Sequence, residues 1–260
     1  MKFKYPAFLA ICLCALGLIS FLLAPVHITV YLAGDSTMAN KAINTYPETG
    51  WGMPFSAFFD TTVTVKNVAK NGQSTKSFIA DGSWAYIANN IKSGDYVLIQ
   101  FGHNDEVPTK RNHTTEEQFA ENLNRFTNEI KTKGANPILI TPVARRKFEG
   151  DHIVGTHDVY SELVRKVARE QHVPLIDLDK ESQDLLQKLG PDNSKYLFNY
   201  LIPGEHPNYP DGKADDTHFN ELGARKMAEI VLNGIKALHL DLADRIVKGQ
   251  NKPVVNPQVK

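Results

Sequence analysis

The chain has 260 residues, 42% hydrophobic and 22% charged, with 29 basic side chains balancing 29 acidic ones. That composition suits one α/β globular domain with a sizeable core. Zero net charge and the lack of a long basic run exclude general electrostatic attraction to nucleic acid or anionic lipid.

The first 24 residues differ from the rest. Lys2 and Lys4 precede an almost uninterrupted apolar segment from Ala7 to Ala24, the pattern that directs export. The segment is just long enough to span a bilayer, and Pro25 after Ala24, with Leu22 two residues before it, makes a poor cleavage site. Residues 1–24 therefore read as a signal peptide or an uncleaved signal anchor. Either places the domain outside the cytoplasm, periplasmic or secreted, with membrane attachment only through this segment. Cys12 and Cys14, the two cysteines of the chain, both lie in it, so the following domain has neither a disulfide nor thiolate chemistry.

The run His27 to Ala33 is β-rich and is halted by Gly34-Asp35-Ser36-Thr37, which reads as a strand delivering a hydroxyl to a sheet edge. Trp51 to Phe59 is apolar enough for a helix packed on the sheet. Thr62 to Lys66 alternates as a second strand and runs into the turn-rich stretch Asn67 to Gly72. Ser83 to Ile91 reads as helix and Asp95 to Phe101 as a continuous buried strand ended by Gly102. Thr115 with Gln118 makes a capping box, followed by Phe119, Leu123, Phe126 and Ile130 at helical spacing. A fourth strand lies in Asn136 to Pro142, a helix in Asp158 to Gln171 and a fifth strand in Val173 to Leu178. The stretch 189–216 is rich in Pro, Gly, Asn and Tyr and has no clear period. Asn220 can cap a last helix with Met227, Ile230, Val231, Ile235 and Leu238 on one face. The tail 248–260 is polar and reads as loose. Strands alternating with helices and buried on both faces predict a three-layer α/β/α sandwich around a five-stranded parallel sheet.

In such sheets sites form at the carboxyl ends of the strands. The first strand delivers Asp35 and Ser36, the second leads to Gly72, the third delivers His103, Asn104 and Asp105, and the loop before the last helix delivers Asp215, Asp216 and His218. Each block alone is weak, since Gly-Asp-Ser and Asn-Asp are common turn and cap residues. Their order along the chain and their shared edge give them joint meaning.

The four blocks Gly34-Asp35-Ser36, Gly72, Gly102-x-Asn104-Asp105 and Asp215-x-x-His218 resemble the SGNH (GDSL-type) hydrolase family in identity and order. Residues 25–247 then form the hydrolase domain, with the flavodoxin-like fold of that family. Gly34 to Ala39, Phe101 to Asp105, and Thr217-His218 followed by Glu221 to Ala224 look most like its rhamnogalacturonan acetylesterase branch. The resemblance implies a serine esterase without cofactor or metal, acting on an acetylated, pectic polysaccharide. Ser36 would be the nucleophile, His218 its base and Asp215 the carboxylate that orients His218. The oxyanion hole would comprise the N–H groups of Ser36 and Gly72 and the side-chain amide of Asn104. Imidazole can take the serine proton and return it to the leaving alcohol, and an aspartate on Nδ1 fixes the required tautomer.

Asp35, Trp51, Gln73, His103 and Asp105 are candidates for substrate contact or for support of the site. Gln73 stands where many acetylesterase-like relatives carry arginine. Trp51, Trp84 and Tyr209 could stack on sugars, although aromatic residues are more often core. Other readings are a lipase or thioesterase-like acyl hydrolase, a metal-dependent hydrolase built on His103, Asp105, Asp216 and His218, and a non-catalytic glycan-binding protein.

Overall fold

β1 (Ile28–Gly34) is the centre of the molecule because its side chains are buried on both sides of the sheet. The computed structural model describes residues 26–247, so the expected leader at 1–24 and the expected tail at 248–260 lie outside the described residues. β1 is followed by β2 (Val63–Asn67), α1 (Thr75–Ala80), α2 (Ser83–Asn90), β3 (Tyr96–Gln100), α3 (Glu116–Thr132) and β4 (Asn136–Ile140). A small hairpin of β5 (Phe148–Glu149) and β6 (His152–Ile153) leads to α4 (Asp158–Gln171), β7 (Leu175–Ile176), α5 (Leu178–Asn193) and α6 (Glu221–Ala237).

The main sheet has the order β2-β1-β3-β4-β7 and every pairing in it is parallel. Alternation along β1 divides the core in two. Val30 and Leu32 pack with Trp51, Phe55, Phe219 and Met227. Tyr31 and Ala33 pack with Phe78, Trp84, Phe119 and Phe126 on the opposite face. The expected three-layer sandwich is therefore present, with the central strands β1, β3 and β4 largely apolar and buried and the edge strand β2 half-buried.

α3 shows how local signals set an element. Thr115 Oγ1 accepts the Gln118 N–H and Gln118 Oε1 accepts the Thr115 N–H, both at 3.2 Å. Phe119, Leu123, Phe126 and Ile130 are buried on its inner side. At about 1.5–3 kcal/mol for each side chain removed from water, that face outweighs a cap contribution of about 1 kcal/mol.

Three expectations need correction. Trp51 to Phe59 is not a helix; only Phe55–Phe58 forms a 3₁₀ turn. Its backbone is bonded elsewhere: the Trp51 N–H donates to the Thr37 carbonyl at 2.9 Å and the Gly52 N–H to that of Met38 at 3.1 Å. Gly50 makes the approach feasible, because a Cβ there would lie 2.0 Å from the Ala39 carbonyl oxygen. The fifth strand shrinks to two residues because α5 begins at Leu178, where the Asp177 side chain caps it. The stretch 189–216 is more structured than its composition suggests. It holds the end of α5, kinked at Gly190 and Pro191, a 3₁₀ turn at Ser194–Leu197, and a bridge between Leu201 and Lys213.

Candidate active site

The chain reverses direction across the sheet at β1, leaving a crevice between the carboxyl ends of β1 and β3. Ser36 lies one residue beyond Asp35 on the β1 side of it. The turn is built by Asp35, whose Oδ1 accepts the Thr37 N–H at 2.9 Å and the Thr37 hydroxyl at 2.8 Å. Asp35 is fully buried, and burial pushes its carboxyl up against the opposing effect of the Thr37 hydrogen bonds. Thr37 Oγ1 also accepts from Gln100 Nε2 at 2.7 Å, and Gln100 Oε1 accepts the Trp51 indole N–H at 2.7 Å. Trp51 therefore braces the Ser36 turn from the core. It is fully buried, as is Trp84, so neither offers a face to a sugar.

His218 Nε2 lies 2.9 Å from Ser36 Oγ, and His218 Nδ1 lies 3.0 Å from Asp215 Oδ2. The other Asp215 oxygen accepts the N–H groups of Thr217 at 2.8 Å and His218 at 2.9 Å. Burial raises the Asp215 carboxyl, but the His218 side-chain and backbone hydrogen bonds outweigh it and hold the group well below the usual carboxylate range. An ionised carboxylate on Nδ1 leaves Nε2 as the acceptor facing the hydroxyl, which lets imidazole take a proton from Ser36. The Asn220 side chain accepts the Gly223 N–H at 3.0 Å and starts α6 directly after this loop.

On the β3 side, Asn104 is buried and its Nδ2 donates to the Gln73 carbonyl at 2.8 Å. This joins the Asn104 amide to the Gly72-Gln73 segment. One Nδ2 proton is engaged there and the second remains for a ligand. Gly72 has φ +74°, a conformation costly for a side chain, and its N–H, like that of Ser36, donates to no acceptor among the described residues. The Gln73 side chain turns away, with Nε2 on Asp81 at 2.8 Å and Oε1 accepting from Ser77 at 2.5 Å. It thus supports α1, the second of the two roles expected of it.

Asp105 is a brace as well. Its Oδ1 accepts the Thr75 N–H at 2.9 Å and the hydroxyls of Thr75 at 2.6 Å and Thr114 at 3.1 Å, while burial pushes its carboxyl up to about 6. His103 is buried beside His157, with ring centroids 4.2 Å apart, and burial drives its imidazole well below the ordinary value. Asp216 faces outward, at 2.6 Å from Arg146 and 2.5 Å from the Tyr200 hydroxyl. His103, Asp105, Asp216 and His218 are thus engaged separately, and among the described residues no three His, Cys, Asp or Glu side chains gather as metal ligands.

Several contributors carried no sequence signal. Lys110 Nζ donates to Asn104 Oδ1 at 2.6 Å, and Asn112 Nδ2 donates to the Gly72 carbonyl at 2.5 Å. Arg145 donates to Thr217 Oγ1 at 3.1 Å and to the His103 carbonyl at 3.3 Å. Polar residues in loops have no periodicity that distinguishes these from solvated neighbours. Thr37 and Gln100 were legible only as neighbours of the Gly-Asp-Ser and strand signals.

A doubly wound sheet carrying a serine, a histidine and an aspartate in hydrogen-bonded series at its carboxyl edge defines a carboxylic ester hydrolase of the serine type. The chain belongs to the GDSL-like Lipase/Acylhydrolase family, which it matches over residues 30–231. It is 43% identical over 227 residues to rhamnogalacturonan acetylesterase RhgT of Bacillus subtilis (strain 168), covering 86% of this chain and 97% of that protein. It is 33% identical over 221 residues to the probable rhamnogalacturonan acetylesterase YesY of the same organism, covering 84% and 97%. Among solved structures, protein YXIM of Bacillus subtilis superposes with a TM-score of 0.71 at 30% identity, covering 84% of this chain and 58% of that one.

Proposed function

We propose that this chain is an exported serine esterase that removes O-acetyl groups from a polysaccharide, and that the polysaccharide is pectic. The observation that carries the reading is the series Ser36 Oγ, His218 and Asp215, with contacts of 2.9 and 3.0 Å. Ser36 Oγ attacks the acetyl carbonyl carbon as His218 Nε2 takes its proton. The developing oxyanion receives the N–H groups of Ser36 and Gly72 and the free Nδ2 proton of Asn104. Collapse breaks the bond to the sugar oxygen, which takes the proton back from His218. Water, deprotonated by His218, then releases acetate from the acetyl-serine, and no cofactor enters either step.

The names and extents of similarity of RhgT and YesY support an acetylated pectic substrate. Export rests on Lys2, Lys4 and the apolar run that follows them. The test is acetate release from acetylated pectin, xylan and chitin fragments by wild type and Ser36→Ala. The expected outcome is release from pectin fragments by wild type alone. Equal rates for the two proteins on every substrate would defeat the serine-esterase reading.

A further inference from the structure

β1, β2 and β3 each lead to a residue of the candidate site, whereas β4 leads to none of them. The segment that follows β4 ends in Arg145 and Arg146, and both reach the loop that carries Asp215 and His218. The Arg145 guanidinium donates to Thr217 Oγ1 at 3.1 Å. Arg146 donates its backbone N–H to the Asp216 carbonyl at 2.8 Å and its Nη1 to Asp216 Oδ1 at 2.6 Å. Two successive arginines thus hold the two residues that lie between Asp215 and His218.

The loop needs such a hold. Asp215 and His218 are joined by bonds within their own loop, with Oδ1 on the Thr217 and His218 N–H groups and Oδ2 beside Nδ1. Those bonds orient the imidazole on the carboxylate but leave open where the pair stands relative to Ser36, 182 residues away in the chain. Backbone bonds from Asn199 to the His218 carbonyl and from Thr49 to the Phe219 carbonyl fix the far side of the histidine. The arginines fix the near side.

Arg145 also refers the base to the oxyanion donors. Its Nη2 donates at 3.3 Å to the His103 carbonyl, in the peptide that leads into Asn104, and at 3.3 Å to Glu106 Oε1. Glu106 Oε2 lies 2.9 Å from Nδ1 of buried His157, at the start of α4. One planar guanidinium therefore spans the base loop and the oxyanion loop, a grip that the point charge of a lysine could not reproduce. Arg146 is itself held: its Nε donates to Ser194 Oγ at 3.0 Å and its guanidinium lies over the rings of Phe148 and Tyr200. Ion pairs of this kind contribute little stability beyond what apolar replacements would, so their value lies in the geometry they fix.

We propose that Arg145 and Arg146 are positioning residues of the esterase reaction, holding the Asp215–His218 loop where His218 meets Ser36 and, through Arg145, in register with Asn104. The proposal rests on the serine-esterase reading above and adds β4 to the strands that build the site.

The test is acetate-release kinetics and urea unfolding on the full-length variants Arg145→Met, Arg146→Met, Thr217→Val, Thr217→Ser and Arg145→Met with Thr217→Val. Because a misplacement of about 1 Å costs about 100-fold in rate, each arginine variant is expected to lower kcat by about 10- to 100-fold with KM unchanged. Thr217→Val, which keeps the shape and loses the hydroxyl, should lower kcat by about tenfold, and the double variant should be no slower than Arg145→Met, since both changes break one contact. Thr217→Ser, which keeps the hydroxyl, should retain the wild-type rate. Wild-type kcat in both arginine variants, multiplying losses in the double variant, or a kcat that falls only as the unfolded fraction rises would overturn the proposal. Wild type releasing no more acetate than Ser36→Ala would instead remove the esterase reading. The arginines are then decided by crystal structures of Arg145→Met and Arg146→Met: His218 Nε2 displaced from its 2.9 Å contact with Ser36 Oγ upholds their role, and that contact retained in both overturns it.

Discussion

Asp215→Asn isolates what the carboxylate contributes, because the change is nearly isosteric. Asp215 Oδ1 accepts two backbone N–H groups, from Thr217 and His218, and an asparagine oxygen can keep both. The amide nitrogen must then occupy the position of Oδ2, 3.0 Å from His218 Nδ1. It can only donate, so the imidazole proton moves to Nε2. That nitrogen lies 2.9 Å from Ser36 Oγ and would present a donor where an acceptor is needed. The fold is retained and the base is lost. In serine hydrolases with this relay the wrong tautomer lowers kcat by about 10⁴, equivalent to about 5 kcal/mol of transition-state stabilisation. Acetate release under saturating substrate gives kcat, and circular dichroism with urea unfolding verifies the fold. A correctly folded Asp215→Asn protein within tenfold of wild type would refute the assignment of His218 as base oriented by Asp215.

Asn104→Ala should lower kcat on the order of 100 to 1,000-fold by removing one oxyanion donor, with an unchanged circular dichroism spectrum; a near wild-type rate would remove Asn104 from the oxyanion hole. Asp105 predicts a pH dependence of stability. Its folded value, about 6, exceeds the ordinary 3.8, so folding opposes its ionisation; the stabilising contribution is full below about 4 and is lost as pH rises through about 6. At about 1.4 kcal/mol per unit this amounts to about 3 kcal/mol. Urea unfolding at pH 5 and pH 7 should show rather less than half of that decline, about 1.3 kcal/mol, in wild type and a flatter profile in Asp105→Asn. Gly50→Ala drives a Cβ into the Ala39 carbonyl and should cost about 1–3 kcal/mol in urea unfolding, while lowering activity by shifting the Ser36 turn.

The sheet was legible because β1 and β3 are mostly apolar and buried, and each runs to or just short of a glycine, Gly34 and Gly102. α3 and α6 were legible from capping residues and helical spacing, and Asn220 caps α6 as its position implied. The region Trp51 to Phe59 misled because its apolar content records burial, not periodicity, and long-range hydrogen bonds from Trp51 and Gly52 to the Ser36 turn decide its shape. α1 fell between the turn-rich stretch ending at Gly72 and the helix expected from Ser83, since its start at Thr75 depends on the Ser74 capping box and on Asp105, thirty residues away. The series Ser36, His218 and Asp215 assembled as the residue order implied. The supports of the oxyanion side did not announce themselves, because Lys110 and Asn112 are ordinary loop residues until the chain folds.

The hydrogen bonds of Asp105 to Thr75 tie the loop after β3 to the start of the helix that follows Gly72. Gly72 and Asn104, though carried by different strands, are thereby parts of one rigid bracket, further closed by Asn104 on the Gln73 carbonyl. Such a bracket can be transplanted or redesigned only whole. A loop exchange that brings a new 72–77 segment without its matching 104–114 segment would misalign both donors at once, whereas residues 202–212, outside the bracket and short of Asp215, can be rebuilt without touching the spacing on which acyl transfer depends.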